Sequence, residues 1–216
     1  NNVKRTTRGL FVSTEDMVRE IGSLPEVAID YLTFSGRGEP TLALNLGEAI
    51  RSLRRIRKEK ISVITNSSLM TRKDVRKDLL RADFVIAKLD AATDEVFEAV
   101  NRPAEGVRFR DVVEALADFR KEFSGRFALQ IMFVAANRDT AREISDIVEV
   151  IGPDEVQLNT PLRPCMEKPL PPEDMGHIKM FFNKQGLRSV NVYSAGKKEV
   201  VPLSGADTLL RRGKEI

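Results

Sequence analysis

The 216 residues contain one cysteine, Cys165, and one histidine, His177. A lone cysteine excludes an internal disulfide. It also cannot by itself supply the several thiolates that an iron–sulfur or structural zinc site takes. Long apolar runs are missing as well: none approaches the ~18 residues of a membrane span, and no signal peptide opens the chain, so the sequence reads as cytoplasmic with no membrane partner. Strong charge of either sign is absent. Lys and Arg total 35 against 32 Asp and Glu, a net charge of +3. That balance suits an RNA or nucleotide partner without requiring one, because the clustered basic stripe of a dedicated nucleic-acid binder is not there.

What is present is core material. At 42% hydrophobic residues the chain can build one large domain, or one domain with a small appendage. Short apolar runs recur at Val27 to Phe34, Ile61 to Ile64, Phe84 to Ala87, Phe127 to Val134, Val156 to Pro161 and Ser189 to Tyr193. Helical periodicity fills the intervals. Ser13 and Asp16 cap a helix with Met17, Val18 and Ile21 on one face; Leu46, Ala49, Ile50, Leu53 and Ile56 mark another; Val112, Val113, Leu116 and Phe119 a third. The runs show no polar alternation, which is how strands covered on both faces by helices read. Successive βα units predict a parallel sheet with right-handed crossovers, either doubly wound or a barrel. A dinucleotide-binding sheet wants Gly-x-Gly-x-x-Gly after its first strand, and Gly36-Arg37-Gly38-Glu39-Pro40-Thr41 lacks the third glycine. The expected fold is therefore α/β, a partial TIM-like barrel of parallel strands with outer helices, its strand ends converging on one mouth. Residues 1–195 form this body; the composition of 196–216 suggests the start of a small helical module.

The strand ends are polar throughout: Ser35, Gly36, Gly38, Glu39 and Pro40; Thr65 and Asn66; Lys88 and Asp90; Asn137; Gln157 and Asn159. Taken singly, Thr65, Asn66, Asn137 and Asn159 are turn formers or helix caps. Taken together, they suggest a pocket for a polar small molecule. Lys88 and Asp90 are two apart, face the same way on an extended strand end, and can form a local ion pair. Glu39, between a glycine and a proline, is a carboxylate displayed at a strand terminus, a candidate general base with Lys88 and Asp90 as partners.

Ser35 to Leu42 resembles the Gly-Gly-Glu motif of the radical S-adenosylmethionine (SAM) superfamily. Thr65 to Leu69, Lys88 to Ala91, Asn101-Arg102-Pro103 and Gln157 to Pro161 resemble the branch grouped with the wyosine-forming tRNA enzymes. The resemblance implies a six-stranded partial (β/α) barrel in which Glu39 and its loop bind the methionine amino group of SAM. It also implies that Asn66 and the region of Lys88 and Asp90 reach the ribose or the methionine carboxylate. Backbone near Val134 and Asn137, with Gln157 and Asn159, would meet the adenine. The implied chemistry couples SAM to a [4Fe–4S] cluster, fed by an electron donor such as flavodoxin or ferredoxin, to form a 5′-deoxyadenosyl radical that abstracts hydrogen from tRNA or a small molecule. The superfamily's Cys-x-x-x-Cys-x-x-Cys motif is not in this sequence. Asn1 to Phe11 resembles the stretch that follows it, so the first strand and cluster loop are expected to precede Asn1.

Other readings stay open at this level. The chain also fits a glycyl-radical-enzyme activase, or a cluster-free barrel that binds a nucleotide-like ligand without turnover. Cys165 reads as an incidental thiol, His177 as a packing residue near Met180 and Phe181, and Arg51, Arg54, Arg55, Arg57 and Lys58 as a solvated helix face.

Overall fold

The structure is a computed structural model that describes residues 6–25, 27–36 and 38–196. The helical module expected at the C-terminus therefore lies outside the described residues. Six strands form one sheet: β1 (Tyr31–Phe34), β2 (Lys60–Thr65), β3 (Phe84–Lys88), β4 (Arg126–Met132), β5 (Glu155–Asn159) and β6 (Ser189–Asn191). They lie side by side in chain order, every neighbouring pair is parallel, and β1 does not pair with β6. Sequential order with a helix in each crossover curls the sheet into an open partial barrel.

Among the described residues seven α-helices accompany it: α1 (Thr14–Ser23), α2 (Leu46–Ile56), α3 (Lys73–Leu79), α4 (Asp94–Asn101), α5 (Phe109–Glu122), α6 (Ala141–Ile151) and α7 (Pro172–Lys184). Local chemistry explains their ends. The Ser13 hydroxyl accepts from the Asp16 N–H at 3.0 Å and starts α1, while Gly152, at φ 66°, stops α6 in a left-handed conformation that favours glycine. Arg102 ends α4 at φ 46°, and Pro103 prevents the helix from resuming.

Period two along each strand divides the sheet into unlike faces. Ile61, Val63, Val85, Ala87, Phe127, Leu129, Ile131, Val156 and Leu158 are buried beneath the helices, where Leu53, Leu79, Leu116, Phe119, Ile144, Val148, Met175, Ile178 and Phe182 meet them. The opposite face carries Tyr31, Thr33, Ser62, Ile64, Phe84, Ile86, Lys88, Ala128, Gln130, Gln157 and Asn159. Its own apolar cluster is confined to Phe84, Ile86 and Ala128, with Tyr31 and Ile64 against it. The outer helices of the expected barrel are thus found, although the apolar runs by themselves read as strands covered on both faces. Helices cover one face, and the other is the hollow of the barrel. The alternation was masked because Ile64, Ile86 and Ala128 make the inner face locally apolar.

Two smaller expectations change. Residues 6–12 are not simply loose loop: Gly9 bridges to Ala43, and the buried Arg8 guanidinium holds Asp74 at 2.9 Å and Asp78 at 2.5 Å on α3. His177 does not pack; it is exposed on α7, opposite the buried Met175, Ile178 and Phe182.

Candidate functional site: the rim of the strand ends

The β1 loop is organised by Glu39. Its backbone is extended, its side chain caps the 3-10 turn Pro40–Leu42, and Pro40 occupies the first position of that turn, where the missing N–H is no loss. Glu39 Oε1 accepts from the Thr41 N–H (3.1 Å), the Thr41 hydroxyl (2.7 Å) and the Thr65 hydroxyl (2.6 Å). Oε2 accepts from the Asn66 N–H at 2.7 Å. One carboxylate oxygen is therefore saturated, and the other keeps a lone pair. Four hydrogen bonds make this carboxylate chiefly a tie between the β1 loop and the end of β2, with one lone pair of Oε2 left over.

The same lacing continues around the rim. The Ser67 hydroxyl donates to Lys88 O (2.8 Å) from a backbone at φ 69°. Lys88 Nζ pairs with Asp90 Oδ2 at 3.0 Å, as its spacing suggested. Asp90, 2% exposed, also accepts from the Met132 N–H (2.7 Å) and from Asn101 Nδ2 (2.8 Å). Asn137 donates to Asp90 O and Met132 O and accepts from the Val134 N–H, so its amide is satisfied and has no exposed surface. The Phe133 N–H donates to Asn159 O, and the Thr160 hydroxyl donates to Phe133 O. Five strand ends are joined by hydrogen bonds in a continuous arc from β1 to β5.

The twelve residues singled out in the sequence separate into two groups. Thr65, Asp90 and Asn137 are buried, their polar atoms are engaged by protein, and Pro40 shapes the turn. Ser35, Gly36, Gly38 and Asn66 are exposed, and Glu39, Lys88, Gln157 and Asn159 are half-buried. A Cβ at Gly36 or Gly38 would meet nothing within 4 Å, so the loop backbone is open to a ligand. Asn66 Oδ1 accepts from the N–H and hydroxyl of Ser68, which turns its NH₂ group away from that turn. Thr41 and Asn101 were not anticipated as site residues, since the carboxylates they meet are shared with other strands. Asn101 stands in the Asn-Arg-Pro segment, the one signal that pointed to it.

For a cluster, the fit fails. Cys165 is exposed in the loop after β5 and donates to Glu167 O at 3.2 Å; among the described residues no group of three or more His, Cys, Asp or Glu could hold a metal ion. Among them, too, no helix is long and apolar enough to cross a membrane.

A family model described as the radical SAM superfamily matches residues 2–151. The chain belongs to the radical SAM superfamily. Among its relatives, UPF0026 protein slr1464 of Synechocystis sp. is 34% identical over 164 residues, covering 76% of this chain and 61% of that protein. UPF0026 protein MJ1312 of Methanocaldococcus jannaschii is 35% identical over 191 residues, covering 84% and 59%. The chain thus spans about three-fifths of the length of these two curated relatives. Streptococcus suis SuiB, solved bound to precursor peptide SuiA, matches with a TM-score of 0.67 at 14% identity over 96% of this chain and 47% of its own; its SAM-bound structure matches at 0.62, covering 82% and 42%. At such identity the likeness shows the fold of a radical SAM barrel.

Proposed function

We propose that the rim from β1 to β5 is a SAM-binding site and that this radical SAM domain is the cofactor-binding part of an enzyme. The observation that carries the reading is the Glu39 loop. It is tied rigidly to the end of β2 through Thr65 and Asn66, yet it leaves the Gly36 and Gly38 backbone and one lone pair of Oε2 unencumbered. An ammonium group needs such acceptors, held in place before it arrives.

In this reading the methionine amino group sits against Glu39 and the backbone of Ser35, Gly36 and Gly38. The Asn66 NH₂ and Lys88 Nζ face the ribose or the methionine carboxylate, with Asn159 above Gln157 on the adenine side. Thr65, Asp90 and Asn137 position these groups from below. Asp90 holds the Lys88 ammonium, and Asn137 locks the β4 loop onto β3. The presence of a SAM-bound structure among the fold's neighbours supports the assignment. Bound SAM supplies the 5′-deoxyadenosyl group of the superfamily's chemistry. This sequence, with one cysteine, does not furnish a thiolate set for the [4Fe–4S] cluster.

The test is titration calorimetry of the 216-residue chain with SAM and with S-adenosylhomocysteine, neither of which needs a cluster. Saturable one-site binding that weakens on Glu39→Gln supports the site, and the absence of binding overturns it.

A further inference from the structure

On the inner face a chain of hydrogen bonds climbs from the start of β4 and β5 to the level of Lys88 and Gln157. Arg126, at the start of β4, donates to Glu155 Oε2 and lies over the Phe84 ring at 4.8 Å. Burial opposes the charge on Arg126, yet Glu155 and Tyr31 outweigh it and raise its pKa above the ordinary arginine value. Gln157 Nε2 donates to Glu155 Oε1 at 2.9 Å, and Gln130 Nε2 donates to Gln157 Oε1 at 3.0 Å.

The direction of this relay is dictated by chemistry. A carboxylate paired with a guanidinium only accepts, so Gln157 must turn its NH₂ toward Glu155 and its oxygen toward Gln130. Gln130 must then donate with its own NH₂, and its Oε1 is left over. Among the described residues Oε1 has no hydrogen-bond partner, and it is not one of the buried unsatisfied atoms, so it is open to the hollow. Gln130 lies in register between Lys88 of β3 and Gln157 of β5, while its chain neighbours Leu129 and Ile131 face the helices.

The geometry points to Gln130 Oε1 as a specificity determinant: an acceptor of fixed orientation for an N–H donor, amide or nucleobase-like, on the substrate that enters the hollow beside SAM. This rests on the reading of the rim as the SAM site, because that reading leaves the hollow for the substrate. Glu155 and Arg126 are positioning residues, acting through Gln157.

The test uses the full chain and two probes alike except for the donor, nicotinamide and N,N-dimethylnicotinamide, compared by saturation-transfer NMR titration with SAM affinity measured on the same samples. Nicotinamide is expected to bind about fivefold more tightly, the size of one net hydrogen bond. Gln130→Met keeps the volume, removes the acceptor, and should bring the two probes within about twofold while leaving SAM affinity unchanged. Glu155→Gln leaves Gln130 in place but frees both amides to flip, and it should erase the preference too, which a merely structural role for Gln130 would not produce. Melting curves establish that each variant folds, and if one does not, the other still decides. Equal binding of the probes to the wild type, no binding of either at millimolar concentration, or a preference that survives Gln130→Met overturns the inference. Loss of wild-type SAM binding with the preference intact would instead bring down the rim assignment alone.

Discussion

The Asn66 N–H donates to Glu39 Oε2 at 2.7 Å across 27 residues of sequence, joining the loops after β1 and β2. This bond makes Glu39 part of one wall of a site. Replacing Glu39 with Gln keeps an acceptor for the two threonines but puts an NH₂ group against the Asn66 N–H. SAM affinity is expected to fall roughly ten- to a hundredfold, the range for a hydrogen bond to a charged group. Calorimetry reads this directly, and an unchanged affinity would count against the assignment.

Asp90 should matter more for stability than for binding. Its carboxylate is 2% exposed and satisfies Met132, Asn101 and Lys88 together. Asp90→Ala strands an N–H and an ammonium in a poorly hydrated place, at a cost of about 2–4 kcal/mol. Urea denaturation followed by circular dichroism should show the midpoint drop with little change in slope. Lys88→Met, whose partly exposed head is easier to lose, should cost less stability and more SAM affinity.

Stability should also fall in acid, through the α3 face. Hydrogen bonds from Arg72, then from Arg8, hold the Asp74 carboxyl well below its ordinary value of 3.8. A folded-state pKa depressed in this way means that the unfolded chain takes up the proton first as pH falls. The contribution is complete at neutral pH, begins to shrink as pH drops toward 3.8, and is lost as pH falls through the folded value. Half-exposed as Asp74 is, the effect is discounted for solvent screening. Melting temperatures measured from pH 6 to the acid limit should show the decline, and Asp74→Asn should flatten it; an identical profile in the variant would refute the linkage.

Gly125→Ala tests how tightly the lower end of the barrel is closed. A Cβ there would sit 2.8 Å from the Asp83 carbonyl oxygen and 2.5 Å from a Phe123 ring carbon. Backbone at that distance has to move, so a loss of about 1–3 kcal/mol is expected. Gly38→Ala, with open space around it, should leave the melting temperature within about a degree or two, provided the loop is measured without ligand.

Much of the architecture was legible in residue order. All six apolar runs became strands, Ser13 capped its helix, and the polar strand ends did converge. Two kinds of information were not local. Which side of a strand faces helices depends on how the sheet curls, and with Ile64, Ile86 and Ala128 on the inner face the apolar runs looked uniform. Whether a polar side chain touches a ligand depends on how many of its bonds the protein already makes. Thr65, Asp90 and Asn137 resemble Asn66 and Asn159 in sequence, yet the first three are buried and engaged by neighbouring strands.

The sequence alone determined the succession of strands and helices, the parallel sheet, and the carboxylate between glycine and proline at the end of β1, because periodicity and turn chemistry act over a few residues. Only the tertiary structure decided that Glu39 is chiefly a clamp, that Arg8 pins the first segment onto α3, and that Gln130 is left with an unpaired oxygen in the hollow. Each of those outcomes follows from hydrogen-bond partners more than 20 residues away in sequence, which no reading along the chain can supply.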